Sequence, residues 1–397
     1  VTGSPIIRIA AKGDGVAEDG RHVSGAVPGD TMLPDGTLEP GPHRATPPCR
    51  HFARCGGCQL QHADDAALLQ FVTDRVTSAA ASQDISVCEV LETHLSPPQS
   101  RRRATLHGLK AGGKFLLGFR EGGSHRIVDI AECPILRLEL FALVPRLRTM
   151  LARIASKAPV DVALTLTDQG VDCTLSGVTL DGLGPTEALL DFARDHGLAR
   201  LSLDQGYGGE TLWEPEPVTV TLGGVAVGFP EQSFLQPTED GEAVLAADAR
   251  AFTDGAGTIA DLFSGLGTFA FALSGAAKVL AVEAARDAHL ACKSAANAQR
   301  LPVHALHRDL FRNPLQPEEI SRFDAILLDP PRAGAREQIA AVANSEAKRV
   351  VYISCNPASW ARDAKTLIDA GFRLEKLRPV GQFRWSTHVE LTSLFAR

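Results

Sequence analysis

No run of about 18 apolar residues occurs anywhere in this chain, which excludes a membrane-spanning helix. Residues 1–15 lack a basic start followed by an apolar block, so no secretory signal is read there and a cytoplasmic protein is expected. There is no excess of positive charge. The 40 Lys and Arg stand against 47 Asp and Glu, a net charge of −7. Taken alone, that balance argues against a nucleic-acid partner, because phosphate contacts need cations. Internal repeats and low-complexity segments are also missing. The eight cysteines are spread over a long chain without a signal, which argues against a disulfide framework and for metal binding or catalysis.

What is present is ample apolar material, 44% of 397 residues, enough for roughly two or three domains with their own cores. Charge is unevenly spread. Between residues 91 and 126, Arg101, Arg102, Arg103, Lys110, Lys114, Arg120 and Arg126 face only Glu92 and Glu121. That stretch is either an RNA-contacting patch or an ordinary solvated face.

Four segments are expected. Residues 1–45 read as a small β unit, with strands at 6–10 and 23–27 and a turn at Pro28-Gly29-Asp30. Residues 46–84 form a cysteine-bearing loop and a helix at 66–81. Residues 85–228 read as an α+β domain, with strands at 85–91, 103–110, 114–120, 160–167, 170–176 and 218–227 and helices at 138–155 and 187–196. Residues 229–397 begin with a loop and a helix at 239–252. Strands at 258–263, 279–283, 304–307, 323–328 and 349–353 then alternate with helices. Such alternation predicts an α/β fold, a mostly parallel sheet with helices on both faces.

Asp261-Leu-Phe-Ser-Gly-Leu-Gly267 ends the first of those strands and opens a helix. Gly265 and Gly267 let the backbone approach a ligand closely. Glu283 ends the next strand, where a carboxylate can accept from ribose hydroxyls, and Asp309 follows the third, within reach of an adenine edge. A nucleotide-like cofactor is expected. The absent third glycine leans away from a dinucleotide, and an ordinary tight turn is the bland alternative.

Asp329-Pro-Pro-Arg332 and Cys355-Asn-Pro357 both follow parallel strands, at the edge where doubly wound sheets bind substrates. Cys355 also precedes a helix, whose N-terminus favours thiolate, so a nucleophile is expected over a buried small hydrophobe. Glu390 sits just before the last strand, either as a base of raised pKa or as a solvated strand-end charge.

Cys49, Cys55 and Cys58, with Cys133 far downstream, supply four thiolates for a [4Fe–4S] cluster or a structural zinc. The spacing does not match the paired Cys-x2-Cys of zinc ribbons, which favours the cluster. Cys88, Cys173 and Cys292 lie in apolar contexts and are expected in cores.

Five blocks together resemble the RNA 5-methyluridine methyltransferase family, in particular its iron–sulfur branch acting on 23S ribosomal RNA. They are Cys49-x5-Cys55-Gly-Gly-Cys58-x-x-Gln61-His62, the 261–267 turn, Asp329-Pro-Pro-Arg-Ala-Gly334, Ser354-Cys-Asn-Pro357 and His388-Val-Glu390. The resemblance runs over nearly the whole chain. It implies a Rossmann-like domain that binds S-adenosylmethionine (SAM), and a first unit like a truncated oligonucleotide-binding (OB-like) barrel. It also implies Cys355 as nucleophile and Glu390 as base. Gln236, Phe263, Glu283, Asp309 and Asp329 become cofactor-site residues, with Gly265, Gly267 and Thr268 in the turn. Cys49, Cys55, Cys58 and Cys133 become cluster ligands. The implied partner is RNA, 23S ribosomal RNA before tRNA, acted on by a monomer. Thr238 and Thr268 stand where the family usually has Asn. A non-catalytic RNA-binding iron–sulfur protein is the alternative from another class.

Overall fold

The computed structural model describes residues 3–206 and 208–397. Its C-terminal sheet is built from central strands apolar on both faces and more polar strands toward its edges. They are β1 (Thr258–Leu262), β2 (Lys278–Glu283), β3 (Val303–His307), β4 (Ala325–Leu328), β5 (Arg349–Ser354), β6 (Arg373–Gly381) and β7 (Glu390–Ala396). The order is β3-β2-β1-β4-β5-β7-β6, with β1 to β5 parallel and β7 antiparallel to both neighbours. Helices α1 (Glu239–Phe252), α2 (Thr268–Leu273), α3 (Arg286–Ala298), α4 (Pro317–Ile320), α5 (Arg336–Ala343) and α6 (Pro357–Asp369) cover it. Alternate residues of each strand feed different cores, the reason these strands read as continuous apolar runs. Ile326, Leu328, Val350 and Tyr352 pack on the face with α5 and α6, whereas Ala325, Leu327, Val351 and Ile353 pack on the face with α1, α2 and α3. Strand order reverses between β1 and β4, so a ligand crevice opens at their carboxyl ends.

The central domain is a second sheet, ordered Ile127–Asp129, Lys114–Arg120, Arg103–Ala111, Val160–Thr167, Gly170–Ser176, Arg200–Asp204 and Gly209–Trp213. Helices Leu138–Ile154 and Leu183–Asp195 pack on it through Leu140, Val144, Leu147 and Leu189. Two expected boundaries move. The strand expected at 85–91 is Val87–Val90, and it pairs parallel with β6 at the edge of the C-terminal sheet. The strand expected at 218–227 is a hairpin, Thr219–Leu222 and Val225–Gly228, whose Val220, Leu222 and Val227 join the core beneath α1 to α3. Helix Asp65–Ala81 likewise packs against α6 and β6. The C-terminal body thus recruits short segments from earlier in the chain, because its outer faces need cover.

The N-terminal unit holds five short strands rather than two: Ser4–Ile9, Gly15–Ala17, His22–Val23, Thr31–Met32 and Leu38–Glu39. Strands of two or three residues are too short to alternate visibly. Their core is small, centred on Ile6, Ala17, Ala26 and Met32. Asp30, buried, secures the unit by accepting from Val27 and Gly41 N–H at 2.8 Å each and pairing with Arg44.

Candidate active site

β1 ends at Leu262, and residues 263–267 turn into α2. Phe263 adopts φ +64°, and Gly265 and Gly267 adopt +54° and +94°. A Cβ on Gly265 would meet nothing within 4 Å, so that side of the turn is open. A Cβ on Gly267 would lie 2.7 Å from the Phe271 ring and 2.9 Å from Cys292 Sγ, so only glycine lets α2 approach α3. Thr268 opens α2, half-buried. Glu283 braces the turn by accepting Gly265 N–H at 2.8 Å and Ala285 N–H at 2.6 Å. Asp309 accepts Phe311 N–H at 3.0 Å. That turn brings Phe311, 43% exposed, to 5.3 Å from the Phe263 ring. Phe311 escaped the sequence reading, although an aromatic two residues beyond Asp309 was its visible signal.

Asp261 is fully buried, and neither carboxylate oxygen has a hydrogen-bond partner among the described residues; Ser264 Oγ is also unpartnered. Burial, reinforced by the Asp329 carboxylate, pushes Asp261 up to about 8. Orphaned acceptors beside an open glycine turn and an aromatic wall fit a cationic, hydroxyl-bearing nucleoside such as SAM.

Cys355 follows β5, where Ser354 pairs with Leu391 of β7. That register brings Cys355 opposite Glu390, the first residue of β7. Asn356 caps α6 by accepting Ala358 N–H at 3.2 Å, and it donates to the Arg332 carbonyl at 2.9 Å. Ser359 Oγ donates to the same carbonyl at 3.0 Å, tying the Cys355 turn to the Asp329–Arg332 loop. The helix terminus does not make a resting thiolate, contrary to expectation. Burial, then the Glu390 and Asp329 carboxylates, push Cys355 up to about 11 against the pull of Arg332. Glu390 is 5% exposed, which excludes a solvated strand-end charge. Burial and Asp329 push it to about 8, and burial pushes Asp329 to about 7.

A chain of amides links the two carboxyl groups. Gln236 Nε2 donates to Asp329 Oδ2 at 3.2 Å, and Gln382 Nε2 donates to Gln236 Oε1 at 3.1 Å. Gln382 Nε2 also donates to Glu390. Thr238 caps α1 by accepting Gly241 N–H at 3.1 Å, and its hydroxyl reaches Gln382 Oε1 at 3.4 Å. Sequence reasoning missed Gln382; nothing local marks a lone glutamine at a strand end.

Arg101, Arg102 and Arg103 do not form one solvated patch. Arg102 is buried, paired with Glu242 at 2.5 Å and donating to the Gln236 carbonyl at 2.9 Å. Arg103 donates to the Leu235 carbonyl at 2.9 Å. These arginines hold the loop that carries Gln236, because a loop with free carbonyls beside a buried site needs donors. Lys110, Lys114, Arg120 and Arg126 remain exposed.

Cys49, Cys55, Cys58 and Cys133 line one cavity, with Arg101, Phe52, Phe119 and Ile130. No three metal-ligating side chains among the described residues approach closely enough for a single ion. Thiolates on one zinc would stand about 3.8 Å apart, from Zn–S bonds of about 2.3 Å in a tetrahedron. Cys173 and Cys292 are buried as expected, whereas Cys88 is exposed on its edge strand.

An open glycine turn beside a half-buried cysteine and a buried carboxyl, on this strand order, fits a Rossmann-like SAM-dependent methyltransferase. The profile of the tRNA (Uracil-5-)-methyltransferase family matches residues 216–397. An RNA methyltransferase of Zymomonas mobilis is 51% identical over 99% of each chain. The 23S rRNA (uracil(1939)-C(5))-methyltransferase RlmD of Pectobacterium atrosepticum is 35% identical over 90% of this chain and 81% of its own. The tRNA (uracil-54, C5)-methyltransferase of Pyrococcus abyssi, solved with S-adenosyl-L-homocysteine, shares the fold with a TM-score of 0.77 at 20% identity, covering 100% and 99% of the chains. The chain belongs to the RNA uracil-C5 methyltransferase family. No described helix is long and apolar enough to cross a membrane.

Proposed function

We propose that this enzyme methylates carbon 5 of a uridine in 23S ribosomal RNA, acting as a cytoplasmic monomer. The observation that supports the reading is the β5–β7 register, which pairs Ser354 with Leu391 and leaves Cys355 and Glu390 at adjoining strand ends, both feeling the Asp329 carboxylate. Uracil C5 is too poor a nucleophile to take a methyl group directly. Cys355 loses its thiol proton to solvent, Sγ bonds to C6 of the target base, and the C5=C6 π pair shifts to give C5 carbanion character. Asp261, Phe263, Gly265, Glu283, Asp309 and Phe311 would hold SAM, which would supply an electrophilic methyl to C5 and leave as S-adenosyl-L-homocysteine. Glu390 then takes the C5 proton, and the electrons of that C–H bond restore C5=C6 as Cys355 leaves. Gln236 and Asp329 hold the uracil edge and the cofactor. The base must leave its stack to enter so enclosed a site. The exposed Lys110, Lys114, Arg120 and Arg126 offer phosphate contacts.

The four cavity cysteines would hold a [4Fe–4S] cluster. Their shared lining of one cavity supports that reading, and Arg101, on the same wall, would offset the negative charge of the thiolates.

Nucleoside mapping by mass spectrometry tests the reading in a strain lacking this protein. Loss of one 5-methyluridine from 23S RNA is the expected result. Loss from tRNA alone keeps the chemistry and moves the substrate, and an unchanged 5-methyluridine content overturns both. In vitro, Cys355→Ala abolishes turnover and Glu390→Gln traps a covalent RNA adduct. Full activity of Cys355→Ala would sink the scheme.

A further inference from the structure

Residues 382–388 join β6 to β7, with Gln382 at one end and Glu390 just beyond the other. In their middle, Trp385 adopts φ +62° while only 7% exposed. A left-handed backbone costs a bulky residue on the order of 1–3 kcal/mol and persists only where the surroundings impose it. Here the cysteine loop imposes it. The Trp385 carbonyl accepts the N–H groups of Gln59 at 2.7 Å and Leu60 at 2.9 Å, the two residues that follow Cys58. Arg101, which lines the cysteine cavity, stands 5.2 Å over the Phe383 ring. Arg384 pairs with Asp65 and donates to the Ser96 carbonyl at 3.2 Å. The Cys355 half of the site is held differently. Its turn is fixed by Arg332, Asn356 and Ser359, and no hydrogen bond among the described residues reaches it from the cysteine loop.

We propose that the cysteine loop, acting through Trp385 as a positioning residue, sets the Glu390 half of the site and so governs release of the methylated base, while the Cys355 half is set independently. This rests on the roles given to Cys355 and Glu390 above. The governed step is the second one. Glu390 takes the proton from C5, the C–H electron pair re-forms C5=C6, the C6–S bond breaks, and Cys355 departs as thiolate. The earlier steps, formation of the C6–S bond and methylation of C5, need Cys355 and SAM but not Glu390.

The test uses 23S and tRNA transcripts made with uridine or 5-fluorouridine, radiolabelled SAM and the full-length enzyme. Fluorine cannot leave as a cation, so 5-fluorouridine RNA stops at the methylated adduct whatever the state of Glu390. Gln59→Pro removes one donor to the Trp385 carbonyl, and Leu60→Pro removes the other. Each variant is expected to form the 5-fluorouridine adduct to within about twofold of wild type. On ordinary RNA each should release product about 10²-fold more slowly, as for a displaced general base, and accumulate covalent adduct. Amide exchange across 382–390 should quicken in both. Should Gln59→Pro fail to fold, Leu60→Pro decides alone. Wild-type product release, or an equal loss of the 5-fluorouridine adduct, overturns the proposal. If wild-type enzyme forms no adduct with either 5-fluorouridine transcript, the Cys355–Glu390 reading fails instead.

Discussion

Asp261 shows how far a single side chain can be held from its solution state. Its pKa rises from 3.8 to about 8 because burial disfavours the charged form and Asp329 lies near. Between those values the folded chain keeps a proton that the unfolded chain has released, so stability falls as pH rises through that window. Asp261→Asn removes the cost of burying a charge. At pH 8 it should therefore raise the stability measured by denaturant unfolding by on the order of 1–3 kcal/mol, and below pH 4 the gain should vanish. Calorimetric titration should show the opposite effect on SAM, a clear loss of affinity, because in the proposed site the ligand would meet this unpartnered carboxyl. A variant neither stabilised at pH 8 nor weakened in binding would show that the carboxylate is satisfied some other way. The residue was legible in the sequence as part of the strand-end turn. Its lack of a partner was not, since that depends on which groups the fold fails to bring near.

Elements were most legible where the period was long and clean. The expected helix at 239–252 coincides with α1, and the strands at 114–120, 160–167 and 170–176 match what forms. Mismatches fall where an element's partner is remote. Nothing within residues 85–91 says that they pair with β6, nearly 300 residues on. α1 also shows an element shaped by its contacts rather than its propensity. Gly241, in its first turn, would place a Cβ 2.4 Å from Gln382 Cγ. Helix propensity alone predicts that Gly241→Ala stabilises, by up to about 1 kcal/mol. Contact with Gln382 predicts the reverse sign. Thermal melting together with turnover separates the two, and a fall in both is expected, because Gln382 positions Glu390.

At the scale of the molecule, the central domain and the methyltransferase body meet through charge as well as packing. Arg102 and Glu242 are both largely buried, and burial pushes the Glu242 carboxyl upward despite the guanidinium. Breaking one partner leaves the other charged and unpaired. Arg102→Met should therefore destabilise the protein by about 3–5 kcal/mol, and adding Glu242→Leu should recover most of that loss. A double-mutant cycle read by denaturant unfolding checks it, and additive costs would mean that the pair is not coupled. Arg102→Met should also slow turnover, since the same side chain holds the Gln236 carbonyl. In the sequence this arginine belonged to a stretch readable either as an RNA-contacting patch or as a solvated face. Only its depth in the fold distinguishes a brace from a phosphate ligand.

Glu390 was singled out through the family resemblance; the sequence by itself determined the α/β class, the open glycine turn after β1, Cys355 at a strand end and the close-set Cys49, Cys55 and Cys58. Each of these is written in local pattern: alternation, turn chemistry, and reactive residues at strand ends. The tertiary structure alone decided that Cys355 rests as a thiol, that Gln382 joins the two carboxyl groups, and that the cysteine loop grips Trp385. Those outcomes depend on burial and on which segments the fold brings together, in the case of Trp385 across more than 300 residues, and neither has a signature in any local window.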